Sequence, residues 1–351
     1  MSNSVLVAMS GGVDSSAAAL ILQNSGYKVS GMMLRLWSKE DTPLYELQSE
    51  RDAKSVCDRI GIPFSVADYR NEFKKEVMDS FIYAYENGET PNPCVVCNRY
   101  VKFEFMLREA DKLGIDKVAT GHYAKVEFDS DSGRYIVRKG ADVKKDQSYM
   151  LVDLTQEQLS RIIFPLGDIT KDSIREIAAE NGLASAHKKD SQDICFIPDG
   201  DYVRFIEEQT KKIYPCGDFV DTQGNKLGSH KGLIRYTTGQ RKGLGLALPA
   251  PMYVLRKDID NNSVILGSND ALFSSECIVK DVNAIAVENF DKPICADVKV
   301  RYSHSAAKAW IYPLDGGKVK VVFDEAQRAI TRGQTAAFYS GDILLGGGKI
   351  E

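Results

Sequence analysis

Ser10-Gly11-Gly12-Val13-Asp14-Ser15 separates a short apolar run, Ser4 to Met9, from a stretch of helix-forming residues. Two adjacent glycines let a backbone fold tightly, so that successive N–H groups converge on one anion. A helix starting near Ser15 adds the positive end of its dipole, and Ser10 and Ser15 add hydroxyl donors. These residue types make an anion-binding turn, yet it carries an acid and no lysine. The Walker pattern needs a lysine and a Ser or Thr after its last glycine. Neither this turn nor GDILLGGGKI (341–350) supplies that pair. The G-x-G-x-x-G spacing is missing from the turn as well. Glycines after a strand often form only a turn; Asp14 and the two serines set this one apart.

The second set of reactive groups is thiols: Cys57, Cys94, Cys97, Cys195, Cys216, Cys277 and Cys295. An odd number scattered over a long chain is not the disulfide framework of a secreted domain. Cys94 and Cys97 form a CxxC within PNPCVVCNRYVKF (91–103). No second CxxC exists to close a zinc site, and Cys195, in KKDSQDICFI (188–197), is the remaining candidate partner. A proline-rich loop should present the pair. Cys97 is expected to begin a helix, whose positive end, with nearby Arg99 and Lys102, would favour thiolate, the form that transfers sulfur and binds metal. His187, His230 and His304 have no cluster spacing and are assigned no metal.

The elements that must hold these groups change character along the 351 residues, a length that suggests two or three domains. Strand-like segments at 4–9, 28–37, 63–69 and 117–120 alternate with helical ones at 15–25, 50–60, 71–87, 155–163 and 170–182. That alternation predicts an α/β, doubly wound parallel sheet with helices on both faces. After a helix at 201–212, glycine and short alternating runs dominate, and from Cys277 strand follows strand, which predicts a small antiparallel β-barrel. The expected division is 1–200, 201–275 and 276–351. Net charge is −4. Even so, Thr222 to Lys257 holds no acid and seven basic residues, Lys226, Lys231, Arg235, Arg241, Lys242, Arg256 and Lys257, a plausible polyphosphate contact or a solvated basic face. Neither a signal peptide nor a membrane-length apolar run is seen, so a cytoplasmic location is expected, with no membrane partner.

The turn resembles the S-G-G-x-D-S signature of PP-loop ATP pyrophosphatases, which cleave ATP between its α- and β-phosphates. PNPCVVCNRYVKF, ATGHYAKV, KDQSYML, DSQDICFI and GQRKGLG follow in the order expected for the tRNA-specific 2-thiouridylase (MnmA/TrmU) family, a likeness running to GQTAAFYSGD near the C-terminus. The resemblance implies a PP-loop (adenine nucleotide alpha hydrolase-like) fold, with middle and C-terminal domains that contact tRNA. It implies a sulfurtransferase that replaces the C2 oxygen of the wobble uridine, position 34, with sulfur after ATP adenylates that oxygen. ATP would bind at Ala8, Met9, Ser10, Gly11, Gly12, Val13, Asp14, Ser15, Leu34 and Gly121, with Asp14 on Mg²⁺. Asn92, Pro93 and Cys94 would face the target base. His122, Lys145, Asp146, Gln147, Arg301, Tyr302 and Gln334 would contact the tRNA. Cys97 would be the nucleophile, Cys195 the persulfide carrier. The partners implied are the anticodon loops of tRNAs for Lys, Glu and Gln and a sulfur donor, such as a cysteine desulfurase or sulfur carrier.

Many relatives carry Asp where this chain has Cys94. Three thiols, Cys94, Cys97 and Cys195, suit an Fe–S cluster such as [4Fe–4S] with one iron open. Two routes therefore stand side by side: a persulfide on Cys195 that ends as a Cys97–Cys195 disulfide, or a cluster-bound sulfide. The alternatives are another PP-loop adenylating or tRNA-thiolating enzyme, and a non-catalytic RNA-binding Fe–S protein.

Overall fold

The computed structural model describes residues 3–37, 43–187 and 193–351; Asp190, Ser191 and Gln192 of the DSQDICFI string lie outside them. The first half alternates strand and helix: β1 (Ser4–Ala8), α1 (Val13–Asn24), β2 (Lys28–Arg35), α2 (Pro43–Ile60) and β3 (Phe64–Asp68). Four helical pieces follow, α3 (Arg70–Phe73), α4 (Asp79–Glu86), α5 (Pro93–Cys97) and α6 (Phe103–Lys112). Then come β4 (Lys117–Ala119), a hairpin of β5 (Ala124–Asp129) and β6 (Arg134–Lys139), α7 (Gln156–Ser160), β7 (Ile162–Ile163) and α8 (Lys171–Glu180). Five of the strands form a parallel sheet in the order β3-β2-β1-β4-β7.

Alternation along β1 shows why the sheet is covered on both faces. Val5 and Val7 pack with α1, α2 and α8, while Leu6 packs with α6 on the other side. The chain steps outward from β1 to β3 through α1 and α2, then crosses back over the opposite face to β4. Successive connections thus diverge between β1 and β4. The crevice this opens at the strands' carboxyl ends is where doubly wound sheets bind ligands.

Two departures from the expected helices matter for the site. The helix expected over 71–87 passes through a π-helical turn, Lys74–Met78, and a second such turn, Asn98–Lys102, joins α5 to α6. A π turn widens the coil and re-aims the side chains beyond it. The helix expected to reach 163 stops at Ser160, after a capping box of Thr155 and Gln158, and Ile162 and Ile163 pair with β4 instead.

After α9 (Tyr202–Thr210), strands β8 (Gly217–Val220), β9 (Lys226–His230), β10 (Tyr253–Asp258) and β11 (Ser263–Gly267) form a small sheet around Phe219, Val254, Val264 and Leu266. The acid-free run lies largely here, and neighbours of opposite charge take up part of it. Lys226 pairs with Asp218 and Arg235 with Glu207, and the Lys257 ammonium is buried. Lys231, Arg241, Lys242 and Arg256 remain exposed.

The last unit holds β12 (Phe273–Ala284), β13 (Ile294–Lys299), β14 (Ala307–Leu314), β15 (Lys318–Arg328), β16 (Thr335–Ser340) and β17 (Ile343–Ile350), all antiparallel. β12 pairs with both β15 and β17, so the six strands close into the expected barrel and leave no free edge. The hairpin β5–β6 adds to β17 and ties the first unit to the barrel. Among the described residues no helix is long and apolar enough to cross a membrane.

Candidate active site

The glycine turn sits where β1 meets the crevice. Gly11 takes φ +73°, and a Cβ there would lie 2.7 Å from the Ser49 carbonyl oxygen, so only glycine fits on both counts. α1 begins at Val13 with Gly12 as its N-cap and no side-chain cap, leaving first-turn N–H groups for a ligand. The hydroxyls are engaged internally: Ser15 Oγ donates to the Gly12 carbonyl (3.1 Å) and lies 3.2 Å from Ser10 Oγ.

Asp14 is not alone. Lys171, at the start of α8, places Nζ 2.7 and 2.8 Å from its two carboxylate oxygens. The Tyr123 hydroxyl donates to Asp14 Oδ1 at 2.7 Å. The Lys171 side chain is 7% exposed and that of Asp14 34%. The Lys171 backbone N–H is fixed by Asp142 Oδ2 (3.0 Å). The turn therefore does have a lysine, delivered from a different helix. A cavity of about 670 Å³ opens above this group. Ala8, Met9, Ser10, Asp14 and Ser15 line it from the turn, Met33 and Leu34 from β2, and Thr120, Gly121 and His122 from the loop after β4. Gly121 is needed there, because a Cβ would fall 2.8 Å from the Asp14 carbonyl carbon.

Lys102, Gln147 and Cys195 line the same cavity, so the glycine turn and one of the singled-out cysteines share a single space. The thiols are held by two devices. Asn92 caps α5, its Oδ1 accepting from the Cys94 N–H (3.2 Å), with Pro93 as the first helical residue. Phe196, next to Cys195, is 2% exposed and stacks edge-on against Phe73 and Phe81, at 5.7 and 5.5 Å. Cys94 and Cys195 are exposed and Cys97 is buried.

Cys97 closes α5 rather than opening a helix, which corrects the expectation of a thiolate stabilised by a helix start. Desolvation by the surrounding protein pushes the Cys97 pKa up to about 12 and that of Cys195 to about 11, and also raises Cys94, even though Cys94 and Cys195 keep part of their surface in solvent. Lys102 opposes the shift at all three thiols, while Cys97 feels the charges of Cys195 and Cys94, and Cys195 that of Cys94. All seven cysteines carry free thiols. Among the described residues no three or more His, Cys, Asp or Glu side chains are gathered as a metal site.

The residues read as tRNA contacts are more occupied than expected. His122 is buried against Phe103 and Phe164, shares a 2.6 Å hydrogen bond with Thr120 Oγ1, and is held neutral by burial. Asp146 accepts from the Gly140 N–H and from Ser148, and Gln147 Oε1 accepts from the Tyr123 N–H. Arg301 donates to the Ala329 carbonyl (2.9 Å) and to Thr331 Oγ1. Gln334 donates to the Thr90 carbonyl (2.7 Å). Lys145 is half-buried. Tyr302 keeps a partly open ring, with its hydroxyl on the Asp146 carbonyl (3.1 Å) and Lys299 Nζ 5.2 Å from the ring centre. Side-chain type alone suggested an open surface; the partners of Gln334 and Tyr302 lie far away in sequence, while those of His122 and Asp146 are close neighbours whose engagement side-chain type does not announce. Lys171 and Tyr123 are the groups that sequence reasoning missed. Their only local signal was the position of Lys171 after the capping Thr170 of an expected helix.

Residues 3–199 match the tRNA methyl transferase HUP domain, 204–268 the tRNA methyl transferase PRC-barrel domain and 274–350 the aminomethyltransferase beta-barrel domain. A tRNA-specific 2-thiouridylase MnmA of Clostridioides difficile (strain 630) is 48% identical over 100% of this chain and 99% of its own. The one of Acetivibrio thermocellus is 49% identical over 99% of both chains. The chain belongs to the tRNA-specific 2-thiouridylase family.

Proposed function

We propose that the chain is an ATP-dependent tRNA-uridine 2-sulfurtransferase acting on the wobble uridine. The observation that carries this reading is the single cavity lined by both the glycine turn and Cys195. The turn would hold the triphosphate, with the adenine against Met33 and Leu34. Mg²⁺ would sit by Asp14, with Lys171 balancing the carboxylate. The uridine O2 attacks the α-phosphorus and pyrophosphate leaves, so the oxygen departs later as part of AMP. A base stacked in an anticodon loop must be extruded to reach this depth. Asn92, Pro93 and Cys94 would meet it. The tRNA itself would lie along Tyr302 and Lys145 and the exposed Arg241 and Lys242, with units meeting near residues 200 and 275.

For sulfur delivery we favour the pair Cys97 and Cys195. A persulfide on Cys195, loaded by a cysteine desulfurase or sulfur carrier, attacks C2 through its terminal sulfur and displaces AMP. The Cys97 thiolate then attacks Cys195 Sγ. The S–S bond breaks, the thiocarbonyl is released and a Cys97–Cys195 disulfide remains, which an external dithiol must reduce. Cys94, Cys97 and Cys195 are also the donor set that a second reading would use for an Fe–S cluster, but they are not gathered as a metal site among the described residues. Such a cluster would supply a sulfide in place of the persulfide. Substrates would be tRNAs for Lys, Glu and Gln, in the cytoplasm.

The test is 2-thiouridine in unmodified tRNA, read by mass spectrometry after anaerobic incubation with ATP. Metal-free protein with a persulfide donor is run beside cluster-reconstituted protein with sulfide. Product from the metal-free protein supports the cysteine pair, and product only with the cluster replaces it by the second reading. ATP-independent tRNA binding without product from either would refute the enzyme.

A further inference from the structure

Residues 88–92 of the first unit run from the end of α4 to the cap of the thiol helix α5, and both other units grip this strap. From the barrel, the Arg332 carbonyl accepts from the Thr90 N–H (2.8 Å). Gln334 Nε2 donates to the Thr90 carbonyl, and Lys349 Nζ lies 2.6 Å from Glu89 Oε2. Gly333, at φ +88°, passes so close that a Cβ would fall 2.7 Å from Glu89 Cβ. From the middle unit, Ile259 packs on Gly88. Lys257 extends a buried ammonium toward Tyr85, 5.6 Å from its ring centre, and Glu89 attracts it. That ammonium has no hydrogen-bond partner among the described residues.

Glu89 is thus a carboxylate with an 11% exposed side chain, placed where three units meet and five residues before Cys94. Exposed ion pairs add little stability, and a buried pair is rarely better than an apolar contact of equal size. What a buried charge does fix is register. We propose that Glu89 is a positioning residue for the thiol turn: by its ion pair with Lys349 of the barrel, on a strap that Ile259 of the middle unit also packs against, it makes the seating of tRNA on those units set where Asn92 to Cys97 meet the activated base. This rests on the sulfurtransferase reading above. Adenylation takes place at the glycine turn, outside the strap, so loosening the clasp should spare that step and spoil the next. The stranded adenylate would be hydrolysed, water giving back uridine and AMP.

The experiment measures AMP and 2-thiouridine together in the full chain with tRNA, ATP and a sulfur source, for wild type, Glu89→Gln and Lys349→Met. The expected result is AMP formation near the wild-type rate with 2-thiouridine down roughly 100-fold, as small misplacements at a reacting centre cost. Lys349→Arg should restore the wild-type ratio. If Glu89→Gln does not fold, Lys349→Met, at a more exposed position, carries the test. An unchanged ratio of AMP to 2-thiouridine overturns the proposal, as does a parallel fall in both. A wild-type chain that consumes ATP without making 2-thiouridine overturns the sulfurtransferase reading, and the clasp with it.

Discussion

Replacing Lys171 by Met leaves the Asp14 carboxylate with the hydrogen bond from the Tyr123 hydroxyl and takes away its compensating charge. Asp14 lines the cavity in which the phosphates would lie. For unit charges about 5 Å apart at an effective dielectric of about 20, the interaction is ~3 kcal/mol. Uncompensated, that repulsion corresponds to about a 100-fold loss in kcat/KM for ATP. The folded chain should lose less. Breaking a fully buried pair costs about 3–5 kcal/mol, but Asp14 is 34% exposed, so about 1–2 kcal/mol is expected here. The assay is tRNA-stimulated AMP formation over a range of ATP concentrations, with thermal melting in parallel. Raising Mg²⁺ should recover part of the loss, because a divalent cation can take over the carboxylate. A Lys171→Met chain within threefold of wild-type kcat/KM would refute the idea that this lysine completes the glycine turn.

Phe196→Ala should destabilise the chain by about 3–5 kcal/mol and, in the fraction that folds, cut 2-thiouridine formation more than AMP formation, because the ring anchors Cys195; equal losses in both assays would contradict this. With Cys195 held near pKa 11, about one thiol in a thousand is ionised at pH 8, so alkylation by iodoacetamide should be slow there and climb about tenfold per pH unit. Mass mapping of the adducts checks this, and a plateau below pH 9 would be inconsistent with it. Burial lowers Lys257 from its ordinary value to about 8. Its protonated form therefore costs stability below pH 8, and the cost fades as pH rises toward 10.5. Lys257→Met should accordingly melt higher than wild type at pH 7, with the gap closing by pH 10; a gap that widens with pH would reverse the sign of the argument.

Local patterns were readable; pairings across the chain were not. Ser10 to Ser15 could be recognised because its chemistry is contained in six consecutive residues, and the strand–helix alternation because each element buries its own periodic face. The hairpin at 124–139 did carry a signal, alternating AKVEFD and RYIVRK runs around a turn containing Gly133, but its attachment to β17 pairs Arg138 with the distant Ile343. The partnership of Asp14 with Lys171 spans 157 residues, and that of Gln334 with Thr90 spans 244. Nothing in either neighbourhood announces the other. Cys97 failed for a different reason. The string CNRYVKF is helix-forming throughout, but the strongest packing available, around Val101, Phe105 and Phe196, draws the helix through a π turn and buries the thiol that a regular helix start would have exposed. The same burial keeps this thiol protonated, and therefore inert, in the free chain. Lys102 already lines the cleft and opposes that shift at all three thiols without overcoming it, so a change at the thiols must come with what enters the cleft.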